Sequence, residues 1–475
     1  MIDQDAVVDG SRRFIEVAFL YRDANQGGMR ALPISLSVLL LLASIAGAVS
    51  PAAVAGAVAD PVGEGTESVA GNTEPAAASV APTVENAADA LDGADGDPDR
   101  PQVDAENLTF RTLSTPIGVA TRVESGSRGA NLGSSVGFAV GETDAAMETA
   151  AVVQRIEAAE TSVERQRRIL AAINRVERDE VTLNSRQTEA FSAHAAGNLS
   201  DRELLDELVR IAATAREYDE RLDELDALAE ETDGFSSPTR LDELQVALQV
   251  YGGPVRDYAL STARGATPAT DVYVESSNRS IVLATVVDGE YVREVFRVDR
   301  WDRGGGSIGN DEAINATSAA YPETASLREP DAFGAGSVQR ITIPHDFGLL
   351  RTFVSGGTEQ VFVEHQRIAL GAFPDTEPVS VNGDGFNVTV DRSYAGGPVT
   401  VTVRNEETGE PVSDVTVTKS VGDGDSQAIG TTDADGMVRT LSPAESYRVT
   451  VVDEPRAVFV DNLQPIATPR PVDDE

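Results

Sequence analysis

The chain holds three histidines and no cysteine, so metal or nucleophile chemistry has few places to sit. Two of the histidines stand beside carboxylates, in His345-Asp346 and Glu364-His365. Imidazole with carboxylate is a ligand set for a divalent ion, so His345, Asp346, Glu364 and His365 are metal candidates if the fold brings the two dipeptides together. Taken separately, each is an ordinary turn or strand-face residue. His194 lies among Ala and Ser at a helix end and reads as a surface or capping histidine. Gly133-Ser134-Ser135-Val136-Gly137 matches G-x-S-x-G, but a nucleophile elbow needs a buried strand before it and a helix right after it. Glycine-rich residues 126–133 precede it instead, no acid-histidine pair is identifiable downstream, and a small-residue loop accounts for the match. Asp95, Asp97, Asp99 and Glu106 fit the ligand spacing of a calcium loop, yet Arg100 occupies the place where the sharp turn needs glycine. No catalytic residue and no cofactor is therefore assigned. Asn107, Asn198, Asn278, Asn315 and Asn387 each open an N-x-[ST] sequon and are glycosylation candidates for an exported chain.

Export is what the N-terminal part predicts. Arg30 precedes an uncharged run over 31–59 with Leu39-Leu40-Leu41-Leu42 at its centre and Ala57-Val58-Ala59 before Asp60. A basic start, an apolar core and a small-residue cut site are the parts of a signal peptide. Uncleaved, 31–54 is also long enough to span a bilayer, which takes about 20 apolar residues. The acidic residues of 1–28 are foreign to a short basic leader, and Met29 makes a better start. A twin-arginine signal is the weaker reading of Ser11-Arg12-Arg13, because Glu16 sits where that pattern wants an apolar residue.

Composition sets further bounds. Over 475 residues, 78 acidic side chains face 38 basic ones, a formal charge of −40, and Lys419 is the single lysine. Such a chain repels nucleic acid and anionic membrane surfaces. No nucleic-acid partner is expected, and membrane contact only through 31–54. Absent cysteine removes disulfides, zinc-thiolate sites and thiol catalysis together. Carboxylate richness with lysine nearly gone resembles the proteins of salt-loving archaea.

Residues 60–106 lack large apolar side chains and read as a disordered acidic linker, and 107–142 as a short irregular or β segment. From Thr143 the period is helical. Met147, Val152, Val153, Ile156, Val163, Leu170 and Ile173 make one face, and Ser200 to Glu203 is a capping box opening a second helix. That helix carries Leu204, Leu208, Ile211, Ala215, Tyr218, Leu222, Leu225 and Ala229 at alternating spacings of four and three, a coiled-coil-like seam. An antiparallel helical hairpin over 143–265 follows. Gln166 and Glu180 interrupt the first helix's seam, which leaves room for a second copy or another envelope protein to pack there.

Beyond Pro268 the period becomes two. Strands at 280–287 and 290–298 flank Asp288-Gly289, a strong hairpin signal. A helix over 311–321 and strands at 337–343, 349–355 and 359–370 complete a small α+β antiparallel-sheet domain at 266–375. In 376–465, alternating valines are punctuated by Thr408-Gly409-Glu410-Pro411 and Asp433-Ala434-Asp435-Gly436, which reads as a β-sandwich; 466–475 is a disordered tail. Residues 384–462 resemble a carboxypeptidase regulatory-like module, a transthyretin-like sandwich that serves as spacer or binding unit. The whole arrangement resembles an uncharacterised family of exported haloarchaeal proteins. These readings together predict a multidomain α and β protein of the cell envelope with an interaction or structural role. The alternatives are a secreted hydrolase, which needs a convergent pocket with a perturbed carboxylate or histidine, and an extracellular ligand-binding or sensory module, which needs a deep apolar cavity.

Overall fold

The computed structural model describes residues 110–116, 121–127, 132–373, 378–466 and 472. The apolar run 31–59, the acidic stretch 60–106 with Asp95, Asp97, Asp99 and Glu106, and the sequon at Asn107 lie outside the described residues. Among the described residues no helix is long and apolar enough to cross a membrane.

Strand β1 (Arg122–Ser127) is followed by five helices: α1 (Leu132–Glu157), α2 (Ser162–Ala195), α3 (Asp201–Glu230), α4 (Arg240–Gln249) and α5 (Pro254–Ala263). The capping box expected at Ser200 is present. The Ser200 hydroxyl accepts from the Glu203 N–H, and the Glu203 carboxylate accepts from the Ser200 N–H. The expected first helix is in fact two. It breaks between Glu157 and Ser162, where the Thr161 hydroxyl accepts from the Glu164 N–H and starts α2 afresh. Thr161-Ser162-Val163-Glu164 has the capping spacing, so the break was written in the sequence. The G-x-S-x-G stretch lies within α1, in neither the loop expected for it nor an elbow.

Helix α3 is the hub of the helical layer, touching α1, α2, α4 and α5. Leu204, Leu208, Ile211, Ala215, Leu222, Leu225 and Ala229 are buried as the seam predicts. Leu205, Val209, Ala212 and Leu228 are buried too, so the apolar face is wider than a two-stranded seam needs. Burying a leucine or isoleucine is worth about 1.5–3 kcal/mol, and α3 obtains this from neighbours in its own chain.

The second layer is one antiparallel sheet. Its strands are β2 (Asp271–Ser277), β3 (Ser280–Val287), β4 (Glu290–Arg297), β5 (Asp331–Ala335), β6 (Val338–His345), β7 (Gly348–Ser355) and β8 (Gln360–Ala369). With β1 on the edge, the order is β1-β2-β3-β4-β8-β7-β6-β5. Asp288, with φ 50, and Gly289, with φ 78, form the β3–β4 turn, as the Asp-Gly pair predicts. Helices α6 (Asn310–Ala320) and α7 (Pro322–Leu327) lie between β4 and β5.

Both faces of the sheet are covered. Val272, Val274, Ile281, Leu283, Val292 and Phe296 join the core of the helical layer. Tyr273, Val282, Ala284, Tyr291 and Val295 belong to a second core that also takes Leu113, Ala313 and Tyr321, and Tyr394 and Leu441 from the C-terminal domain.

That domain is a β-sandwich with two four-stranded sheets. One runs β14 (Met437–Leu441), β11 (Pro398–Asn405), β10 (Phe386–Asp391), β9 (Val379–Gly383). The other runs β13 (Gln427–Thr431), β12 (Thr416–Val421), β15 (Tyr447–Asp453), β16 (Arg456–Leu463). Alternate valines 388, 390, 399, 401, 403, 415, 417, 449, 451, 458 and 460 fill its core. In the turn at Asp433, the Oδ1 accepts from the N–H groups of Asp435 at 3.0 Å and Met437 at 2.9 Å, while Gly436 takes φ 73. The lone lysine lies where sandwich meets sheet: Lys419 Nζ donates to Thr440 Oγ1 and to the Leu441 carbonyl, both at 3.0 Å. Its amine is 4.0 Å from Asp271.

Candidate functional site

The side chains able to do chemistry collect on the two faces of the sheet, in buried polar clusters. On the helical face, α2 turns Glu180, Gln187 and His194 inward. These residues are seven apart, so two turns of helix separate each from the next on one face. Each meets its own partners. Glu180 accepts from Tyr251 Oη at 2.5 Å and pairs with Arg303. Gln187 Oε1 accepts from Arg256 Nη1 at 2.9 Å, and Arg256 Nε donates to Glu294 Oε1 at 2.7 Å. Glu294 Oε2 accepts from the Val255 N–H at 3.1 Å, placing a carboxylate at the N-terminus of α5, where the helix dipole favours it. A Cβ at Gly253 would collide with that carboxylate.

His194 is wholly buried with both ring nitrogens on side chains, where the sequence suggests a surface or capping residue. Its Nδ1 lies 2.6 Å from Ser276 Oγ on β2, and its Nε2 lies 2.7 Å from Asp201 Oδ1 at the start of α3. Serine, histidine and aspartate in a hydrogen-bonded chain are the parts of an acyl-transfer triad. Ser276 and His194 are both 0% exposed, so no substrate carbonyl reaches the hydroxyl. The chain of bonds ties the α2–α3 corner to the sheet. A recess between α5 and the start of β2, lined by Tyr258, Ala259, Thr262, Thr270 and Val272, has room for about one water molecule.

The opposite face carries the second cluster. Glu364 on β8 pairs with Arg293 on β4 and accepts from Tyr321 Oη at 2.7 Å and from the Leu113 N–H at 2.5 Å. Burial pushes the Glu364 carboxyl up, against the pull of Arg293 and these donors. Arg293 Nη2 donates to the Leu113 carbonyl at 2.6 Å, and Arg297 Nη1 to that of Ser114 at 2.7 Å. Gln366 Nε2 donates to the Arg111 carbonyl at 2.7 Å. Residues 110–115 are thus held across the sheet by side chains that grip their backbone, and by the Val472 N–H, which donates to the Thr112 carbonyl at 3.2 Å.

The four metal candidates are not brought together. Glu364 and His365 are consecutive on β8 and face opposite sides, Glu364 into the cluster at Leu113 and His365 toward the helical layer, where it packs edge-on against Phe353. His345 ends β6 and stacks on Phe110, ring centroids 5.4 Å apart. Desolvation lowers it to about 4, with Asp346 opposing. Among the described residues no group of three or more His, Asp or Glu side chains is placed to hold a metal ion.

A family model described as "Domain of unknown function (DUF7096)" matches residues 29–268, more than half of the chain. The chain belongs to that family. The DUF7096 match takes in the apolar run 31–59 and ends where the helical layer gives way to β2. "Family of unknown function (DUF7094)" matches residues 272–374, the sheet with α6 and α7, and "Archaeal fibronectin-III type-like domain" matches residues 377–460. The expected sandwich is there, and its match is to a fibronectin-III type of archaea where the sequence resemblance pointed to a carboxypeptidase regulatory-like module. No curated protein and no solved structure matches the chain.

In this DUF7096 protein the described sequons differ in setting. Asn198 and Asn278 are exposed in turns, Asn315 is exposed on α6, and Asn387 is half-buried in β10 with its Nδ2 on Asn382 Oδ1 at 2.5 Å. The interruption at Glu180, read as room for another molecule, is filled from within by Tyr251 and Arg303. Sequence reasoning missed the buried clusters because the partners lie far along the chain, Arg293 and Glu364 being 71 residues apart. The one local signal was the heptad spacing of Glu180, Gln187 and His194.

Proposed function

We propose that this DUF7096 protein is an exported, non-catalytic component of the envelope of a salt-loving archaeon, with a structural or interaction role. The observation that carries the reading is the C-terminal sandwich of archaeal fibronectin-III type, docked on the central sheet through a shared apolar core and carried behind an apolar run of export type. Domains of this build are spacers and binding units, and docking through Tyr394, Leu441 and Lys419 makes sandwich and sheet one body. Surface chemistry supports the salt-loving reading. The single lysine is buried, so the exposed cations are arginines among a large excess of carboxylates. Exposed sequons at Asn198 and Asn278 suit glycosylation outside the cell. Intact-mass analysis of the protein from its native host tests the proposal. Expected is an N-terminus near Val58 or Asp60 with added glycan mass; residues 1–59 retained in a membrane-free fraction contradict it.

A further inference from the structure

Arg351 on β7 stands among charges and is left without an ion pair. The register sets it opposite His365 on β8, and His365 opposite Glu294 on β4, so all three face the helical layer. The carboxylates of this corner already have arginines of their own. Glu294 Oε1 accepts from Arg256 Nε at 2.7 Å, Asp257 Oδ1 on α5 from Arg216 Nη2 at 2.6 Å, and Glu290 Oε2 from Arg367 Nη2 at 2.6 Å. Further along the row come Thr342 on β6 and Asp331 on the edge strand β5; among the described residues no carboxylate forms an ion pair with Arg351. His365 adds no charge. Desolvation, and then the Arg351 and Arg256 guanidinium groups, hold its imidazole far below the usual histidine range, with the Gly252 carbonyl opposing. Four guanidinium groups therefore stand against three carboxylates, and one positive charge is left over in a chain whose formal charge is −40.

Arg351 is half-buried, and its Nε is buried without a hydrogen-bond partner. Burial pulls its guanidinium down from the usual range, with Asp257 opposing across a longer gap and Arg367 adding repulsion. Even so, a guanidinium keeps its charge in a protein, and a charge drawn out of water is costly unless a counter-charge meets it. Arg367 is the diagonal neighbour of Arg351, since it pairs with Leu349. That spacing is about 7–8 Å, which side chains of this length can bridge. The Arg367 side chain is half exposed, so solutes reach the space between the two.

We propose that Arg351 and Arg367 form a site for one small monovalent anion, a halide or the carboxylate of a small solute, on the helical face of β7 and β8. Its valence follows from the balance of charge: one negative charge neutralises the corner, and a second would add to the excess of an acidic chain. Guanidinium groups suit both ligands, holding a carboxylate by paired N–H donors and a halide by charge. The proposal goes beyond the envelope reading and is independent of it, because the site is titrated on purified protein.

Chloride is the probe, and its nuclear resonance broadens as the ion exchanges onto a protein site. With ionic strength fixed by sodium sulfate, added chloride should give the full chain a saturable broadening that excess formate removes. Arg351→Gln should abolish the saturable part while its circular dichroism and melting transition show a folded chain. Arg367→Gln takes the charge of the corner to zero and frees Glu290 to repel, and should raise the chloride midpoint at least about threefold. A formate midpoint below that of chloride assigns the site to carboxylates, and one above it to halides. The absence of a saturable part, or its persistence in folded Arg351→Gln, overturns the proposal. Should Arg351→Gln not fold, Arg367→Gln decides, because its side chain reaches solvent; a smaller rise in the midpoint then overturns the proposal.

Discussion

Glu217 on α3 shows how an acidic surface and a packed helix conflict at one residue. Desolvation, with repulsion from Glu220 one turn on and attraction from Arg221 opposing, pushes its carboxyl from 4.5 up to about 7. Between those values the folded chain holds a proton the unfolded chain has lost, so stability falls as pH rises through that window and stays lower above it. Glu217→Gln should therefore raise the melting temperature at pH 8 and leave it unchanged at pH 4, as a calorimetric pH series checks; an equal gain at both pH values contradicts the assignment. At His194 the concern is hydrogen bonding. His194→Leu keeps much of the volume but takes the ring nitrogens from Ser276 and Asp201, at a cost of about 1–3 kcal/mol for each buried polar group left unpaired. Denaturant unfolding should show that loss, and a change under about 0.5 kcal/mol would mean that the corner is not held by this histidine.

At the scale of elements, α3 was legible and its surroundings were not. Seam spacing and the capping box at Ser200 are local, and both are present. The Asp288-Gly289 hairpin was legible for the same reason, a turn chemistry that needs no distant partner. Strand β4 was legible as a strand, but Glu-Tyr-Val-Arg-Glu-Val-Phe-Arg does not say that both faces are covered. Arg293 and Glu294 point to opposite sides and are both buried, paired with Glu364 and Arg256. Strand β1 and residues 110–116 were legible only as part of a short irregular or β segment over 107–142, because tertiary contacts hold them without any periodicity of their own. One comparison checks the helical layer. Ile211→Asp puts a charge into the fully buried apolar face of α3, and should lower the melting temperature of the full chain in molar salt by several degrees, about 2–4 °C for each 1 kcal/mol in domains of 150–250 residues. Glu220→Gln on the exposed face should change it little. Equal shifts would mean that α3 is not the packed centre of this layer.

Across the whole molecule, a formal charge of −40 opposes the compact state that the apolar cores of the described residues favour. Salt relieves that opposition, since the Debye length shrinks from about 10 Å at 0.1 M to about 3 Å at 1 M. Thermal stability should rise across that range, and a fall would contradict the salt-loving reading. Sandwich and sheet share Tyr394 and Leu441, so Leu441→Asp should split their unfolding into two transitions, while the intact protein shows the two melting together. Protease shaving of intact host cells tests the central claim, an envelope body outside the membrane, most directly. Amine labelling is unsuited, because the one lysine is buried between sandwich and sheet. Followed with an antibody to the sandwich, the protein is predicted to be cleaved or released from unlysed cells while a cytoplasmic marker stays whole; protection of the sandwich until the cells are lysed would contradict the account.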